Sequence, residues 1–171
     1  AKVATSGRGS AQEMAAEMFR IASGVEMLLV PYKGSSAAQP DLIGGRTALY
    51  IDTVSAIQSQ VKAGTVRAIA VSTRNRTLAL PGVPTADEQG LKGYDANTNG
   101  GFLAPAGTPK AIVAKLNAEI NAALKLPDVR SKLETAGIEI QGGTPQDYAA
   151  LIKSDLAKWS KVIKAAGIPA E

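Results

Sequence analysis

Lys2-Val3-Ala4-Thr5-Ser6-Gly7-Arg8-Gly9-Ser10 runs from four strand-compatible residues into a turn of glycines and small hydroxyl residues. A helix is expected next, over 11–23. There Met14, Met18, Phe19 and Ile21 form an approximate helical stripe, and Gly24 supplies a left-handed stop. Val25–Tyr32, with the apolar run Met27-Leu28-Leu29-Val30, reads as a buried strand. A shorter helix opens at Gly34-Ser35-Ser36 and closes at Gly44-Gly45. Thr47–Ile51 reads as a third strand, and Asp52-Thr53 starts a third helix that stops at Gly64. Val66–Ser72, β-branched and small, reads as a fourth strand. Strands alternating with helices at this spacing predict a parallel α/β sheet.

The pattern changes after Thr73. Residues 74–99 carry Pro81, Gly82, Pro84, Gly90 and Gly93, with one short helix expected at Ala86–Gln89. Gly100–Ala104 reads as a single strand, and nearly everything beyond is helical. Thr108-Pro109 is a start signal, a threonine cap followed by proline, and Ile112, Val113, Leu116, Ile120 and Leu124 form the stripe behind it. Pro127-Asp128 opens a shorter helix closed by Gly137, and Ile138–Ile140 is an expected edge strand. Thr144-Pro145 begins a last helix striped by Tyr148, Leu151, Ile152, Leu156, Trp159, Val162 and Ile163. No internal repeat interrupts this order. The expected division is an α/β unit over 1–97 and a mostly helical segment over 98–171.

Composition narrows the function classes. The 171 residues are 45% hydrophobic, enough for a core, and no apolar run approaches the roughly 18–20 residues that span a bilayer. The net charge of +4 is spread along the chain, and only 4% of residues are aromatic. That is unlike a nucleic-acid reader, which clusters basic and stacking residues. With no cysteine and no histidine, disulfides, thiolate nucleophiles, histidine bases and the usual zinc sets are excluded. The chain has no phosphate loop, dinucleotide fingerprint or Gly-x-Ser-x-Gly elbow. The first residues lack the basic-then-apolar pattern of a signal peptide and read as a strand entered abruptly, as if from mid-protein. No cofactor and no catalytic residue are expected.

Ligands of open α/β sheets bind beyond the carboxyl ends of the strands, so three junctions hold the candidates. In Ser6-Gly7-Arg8-Gly9-Ser10 two glycines permit close backbone approach, and the helix start offers amide donors to an anion. A tight turn uses the same residues. At Tyr32-Lys33-Gly34-Ser35-Ser36, Lys33 is either a counter-charge for a ligand or a surface lysine beside a helix start. At the third junction, Asp52 either caps a helix or accepts from a ligand, with Thr53 beside it.

Taken together, these segments resemble the substrate-binding proteins of tripartite tricarboxylate transporters, the Bug or TctC family. The resemblance is carried by Ala4-Thr-Ser-Gly-Arg-Gly-Ser10, Val30-Pro-Tyr-Lys-Gly-Ser35, Asp41-Leu-Ile-Gly-Gly45 and Ile51-Asp-Thr53. It continues through Lys62-Ala-Gly-Thr-Val-Arg-Ala-Ile-Ala-Val71, Leu80-Pro-Gly-Val-Pro-Thr85, Leu103-Ala-Pro-Ala-Gly-Thr-Pro109 and Gly142-Gly-Thr-Pro145. It implies a two-lobed Venus flytrap of the type II periplasmic binding-protein kind. A small carboxylate-bearing molecule would be enclosed between the lobes and delivered to a membrane permease. Family members extend further at the N-terminus. On that reading 1–97 is the second lobe, lacking its first crossover strand, 98–171 is the return to the first lobe, and part of the first lobe is missing. Self-association of the unpartnered helices is then an expectation.

By position, the resemblance assigns Ser6, Gly7, Gly9 and Ser10 to carboxylate binding, Asp52 and Thr53 to the same cleft, and Lys33-Gly34 to its edge. Two departures stand out. Glu13 occupies a position where the family often has histidine, and Asn99-Gly100 replaces a commonly aromatic pair. Glu13 either borders the anion loop, where it would repel a dianion and favour a carboxylate accompanied by an amine or hydroxyls, or points to solvent. A ligand-sensing module for a signalling partner would share this fold, and an enzyme is the remaining class.

Overall fold

The computed structural model describes residues 1–168. Its sheet is built around strand β1 (Lys2–Thr5), in which Val3, Ala4 and Thr5 are fully buried, as the middle strand of a parallel sheet must be. β1 pairs in parallel with β2 (Leu28–Pro31) on one side and β3 (Leu49–Tyr50) on the other, giving the order β2-β1-β3. Val3 stands opposite Leu29 in one ladder and Leu49 in the other. Backbone bonds from Tyr32 N–H to Thr5 O (3.0 Å) and from Ala48 N–H to Lys2 O (2.9 Å) extend the two ladders.

Helix α1 (Ala11–Ser23) connects β1 to β2 and lies over both, while α2 (Ser35–Ile43) connects β2 to β3 and lies over β1 and β3. Right-handed crossovers that run in opposite directions place these helices on opposite faces of the sheet. The fully buried Ala16 of α1 and Ala38 of α2 are small enough to let each helix close on it. Helix α3 (Val54–Lys62) follows β3. The later part of the chain supplies α4 (Lys110–Ala123), α5 (Pro127–Thr135) and the long α6 (Pro145–Ala166).

α6 returns to pack on α1. Trp159 there meets a buried cluster of Ala15, Ala86, Tyr94 and Ala96, together with Met18 and Phe19. Phe19 and Tyr94 meet edge to face, with ring centres 5.9 Å apart, and the Tyr94 hydroxyl donates to Ala15 O at 3.0 Å. Ala86, Tyr94 and Ala96 therefore belong to the packing of α1 although none of them is in a helix or strand, and backbone bonds tie Val71 to Ala86 and Ser72 to Ala96.

Five local expectations are corrected. Val66–Ser72 is not a fourth strand: only Val71 bridges, to Thr85, and Ile69 O is satisfied by the Gln89 side chain instead of a neighbouring strand. β3 is two residues long and offers no ladder for a further strand to join, so β-branched composition alone does not make one. Ala86–Gln89 is a run of turns, not a helix. Gly100–Ala104 pairs with nothing among the described residues, and its Phe102 and Leu103 are 80% and 77% exposed. Ile138–Ile140 is likewise unpaired. The strand expected over Val25–Tyr32 is shorter, because Val25 and Glu26 are still leaving the Gly24 stop of α1.

Candidate functional site

With β1 in the middle, the chain leaves its carboxyl end toward α1 on one face, while β3 delivers the chain to α3 beside it. The strand order reverses between β1 and β3, and the crevice above such a point is the ordinary ligand position of open α/β sheets. Two of the three junctions named from sequence meet there directly.

The β1–α1 loop, residues 6–10, is shaped by Gly7 and Gly9. Gly7 has φ +141°, and a β-carbon on it would lie 3.3 Å from Tyr32 O, so only glycine lets this loop sit against the β2–α2 turn. Ser10 caps α1, its hydroxyl accepting from Glu13 N–H at 3.1 Å. The amides of Gly7, Arg8, Ala11 and Gln12 donate to nothing among the described residues. These N–H groups gather at the positive end of a thirteen-residue helix, an arrangement suited to an anion.

Glu13 turns back onto the loop at an exposed position. Its Oε2 accepts from Gly9 N–H at 2.6 Å, so one donor of the loop is already taken by a carboxylate of the chain itself.

Asp52 follows β3 and is tied to the same loop. Its Oδ1 accepts from Thr53 N–H (2.8 Å), the Ser35 hydroxyl (2.9 Å) and Gln12 Nε2 (3.3 Å). Gln12 in turn accepts from the Ser6 hydroxyl at 2.7 Å, and the Tyr50 hydroxyl donates to Ser35 Oγ at 2.9 Å. Burial, chiefly, pushes the Tyr50 phenol up to about 12, so it remains a neutral donor at the foot of this chain of hydrogen bonds. Asp52 Oδ2 is enclosed and accepts from no described group. An unmet buried acceptor costs about 1–3 kcal/mol, and more when charged. Asp52 is not the helix cap: Thr53 holds that position, without a side-chain cap bond, and Asp52 binds the Thr53 amide from one residue further back.

Gly34 N–H donates to Ser6 O at 3.0 Å, which seats the β2–α2 turn against the loop. Lys33 and Arg8 are exposed and form no ion pair among the described residues. Ser6, Gly7, Gly9, Ser10, Glu13, Gly34, Asp52 and Thr53 are thus brought together, with Lys33 at the rim.

Gln12, which links the loop to Asp52, and Tyr50, which supports Ser35, were not singled out from the sequence. Gln12 lies in the first turn of α1, on the side facing β3, a placement visible only once the strand order is known. Tyr50 is the last residue of β3, and a strand end of an α/β sheet is a general place to look. Among the described residues no three Asp, Glu, His or Cys side chains gather to hold a metal ion. Ser35 donates to a carboxylate with no imidazole between them, so the cluster presents acceptors and donors and no activated nucleophile.

The switch point of this parallel sheet thus carries a glycine loop, a helix start and an anchored aspartate, the arrangement of an open α/β protein. The model of the tripartite tricarboxylate transporter family receptor matches residues 2–168, and the chain belongs to that family. It is 42% identical over 161 residues to a Pseudomonas sp. UPF0065 protein, a match covering 94% of this chain and 48% of that relative. A UPF0065 protein of Pseudomonas knackmussii is 37% identical over 158 residues, covering 92% of this chain and 94% of the relative. Among solved structures, R. palustris Rpa4515 with adipate superposes with TM-score 0.82 at 38% identity, over 97% of this chain and 56% of that one. MatC of Rhodopseudomonas palustris with bound malate gives 0.71 at 28% identity, over 95% and 56%. The fold is therefore that of the two-lobed Venus-flytrap binding proteins of this family. The chain spans about half the length of the first of these relatives and of the two solved structures.

Proposed function

We propose that the protein is an extracytoplasmic solute-binding receptor that captures a small carboxylate-bearing molecule and presents it to the permease of a tripartite tricarboxylate-type transporter. The observation that carries this reading is the cradle at the switch point. Unused amides of Gly7 and Arg8 at the start of α1 lie beside the Ser6–Gln12–Asp52–Ser35 network. Similar proteins hold adipate and malate, two small carboxylates, which supports the same ligand class here. The carboxylate would lie on the loop amides with Ser6 and Ser10 at its sides, and Asp52 would brace the loop through Gln12 and Ser35. Lys33 and Gly34 would border the cleft. No helix among the described residues is long and apolar enough to cross a membrane. The lobe boundary is proposed near residue 97, with α6 returning from the later segment to pack on α1.

The test is a thermal-shift screen of the natural protein in full against mono-, di- and tricarboxylates and amino acids. A ligand at one hundred times its Kd adds about 2.7 kcal/mol, a shift of several degrees. A selective shift by one group of acids is expected. A cooperative melt that no acid moves would remove the carboxylate reading while leaving the fold in place.

A further inference from the structure

We propose that residues 98–104 and the adjoining face of α6 form an interface with a second copy of this chain. No backbone N–H or C=O of 98–104 pairs with another backbone group among the described residues. The segment is nonetheless held in place. Gly101 lies so close to the Tyr148 ring that a side chain there has no room, which fixes the segment along the start of α6. Beside it runs a groove of about 250 Å³, lined by Tyr148, Ile152, Leu156 and Trp159 on one side and by Asn97 and Asn99 on the other. Phe102, Leu103 and Leu156 are 80%, 77% and 68% exposed.

A free backbone edge beside exposed apolar side chains recruits another chain, and this surface is complementary to itself. Two copies related by a two-fold axis through Gly101 pair antiparallel, each giving the other the N–H and C=O partners it lacks. In that register Phe102 of one copy stands opposite Gly100 of the other, where no side chain obstructs the ring. Leu103 stands opposite Asn99, at the mouth of the groove. The acidic group of the groove, Asp155, is already met by Asn99 Nδ2 at 2.8 Å and Lys158 Nζ at 3.3 Å, so it brings no unpaired charge to the contact. Phe102, Leu103, Ile152 and Leu156 together expose on the order of 500 Å² per copy, so a two-fold pair covers about 1,000 Å², the size at which specific interfaces begin.

The experiment is sedimentation velocity on the natural protein in full, over a concentration series up to about 100 μM. No ligand is added, so the outcome does not depend on the reading of the cradle. A reversible monomer–dimer equilibrium is expected. Phe102→Asp, at a position too exposed for the fold to depend on it, is expected to raise the dimer dissociation constant at least about tenfold. Leu156→Lys, on the helix side of the same face, is expected to act in the same direction. Ile43→Asp is the control, because Ile43 is 51% exposed at the end of α2 and does not line the groove; it is expected to leave the dimer unchanged. Equal weakening by all three substitutions would mean non-specific association and would overturn the proposal. So would a dimer that neither Phe102→Asp nor Leu156→Lys weakens. A wild-type protein that stays monomeric throughout the series would overturn it as well, the face then being covered by further residues of the natural chain or left to solvent.

Discussion

Single side chains show where this chain places its polar groups. Tyr94 is 4% exposed, yet its hydroxyl is satisfied by Ala15 O, so the only polar atom of its ring is paired across the α1 interface. Burial raises its phenol well above the ordinary range, and the group stays neutral and donating at any working pH. Tyr94→Phe removes that bond while keeping the edge contact with Phe19. The expected loss is about 1 kcal/mol, read as a lower urea midpoint with an unchanged m-value. At this scale much of the candidate site was legible. Glycines and hydroxyls between a strand and a helix mark a backbone that approaches something closely, and Asp52 follows a strand end. What pure sequence left open was direction. Nothing in Glu13 itself tells whether it faces Gly9 or water, because a residue at the third position of a helix reaches either. Gln12 escaped notice for the same reason.

The helices are the best-specified elements. α6 begins with a reciprocal cap: Thr144 Oγ1 accepts from Asp147 N–H at 3.1 Å, and Asp147 Oδ2 accepts from Thr144 N–H at 2.8 Å. The Thr144 amide first, and its hydroxyl second, hold the Asp147 carboxyl below its ordinary value. A carboxyl depressed in the folded state contributes stability above its unfolded pKa and loses it as the pH falls through the folded one. Thr144→Ala is therefore expected to lower Tm at neutral pH, with the gap to wild type closing as the solution is acidified. A gap that stays constant from neutral to strongly acid pH would show that Asp147 does not take part.

Thr144-Pro145 announced its helix because a cap and a proline act locally, whereas the cap expected at Thr108 is corrected: Pro109 holds the cap position of α4, and the Thr108 hydroxyl donates to Pro105 O at 2.8 Å. The expected strands at Val66–Ser72, Gly100–Ala104 and Ile138–Ile140 were misread because a strand exists only with a partner. Neither the two-residue length of β3 nor the exposure of Phe102 is written in the segment concerned.

In the molecule as a whole, the late helix α6 is joined to the early α/β unit through α1. Val162 is the buried residue of α6, and Trp159 sits three residues before it against the Tyr94 cluster. Val162→Asp would bury a charge with no counter-ion, at a cost of at least about 2 kcal/mol. The expected outcome is loss of hydrogen-exchange protection along α6, with β1 and α1 still protected. Simultaneous loss of protection in all three would mean that the sheet cannot stand without α6. α1 carries the candidate loop at one end and receives α6 along its side.

Trp159 is the only tryptophan of the chain, half enclosed by the cluster under α1, with the Lys158 ammonium 4.8 Å from its ring centre. Its emission is therefore an optical signal from a single place. A shift toward longer wavelength would report water reaching the seat of α6, and the protein carries its own fluorescent gauge of that contact, with no dye attached.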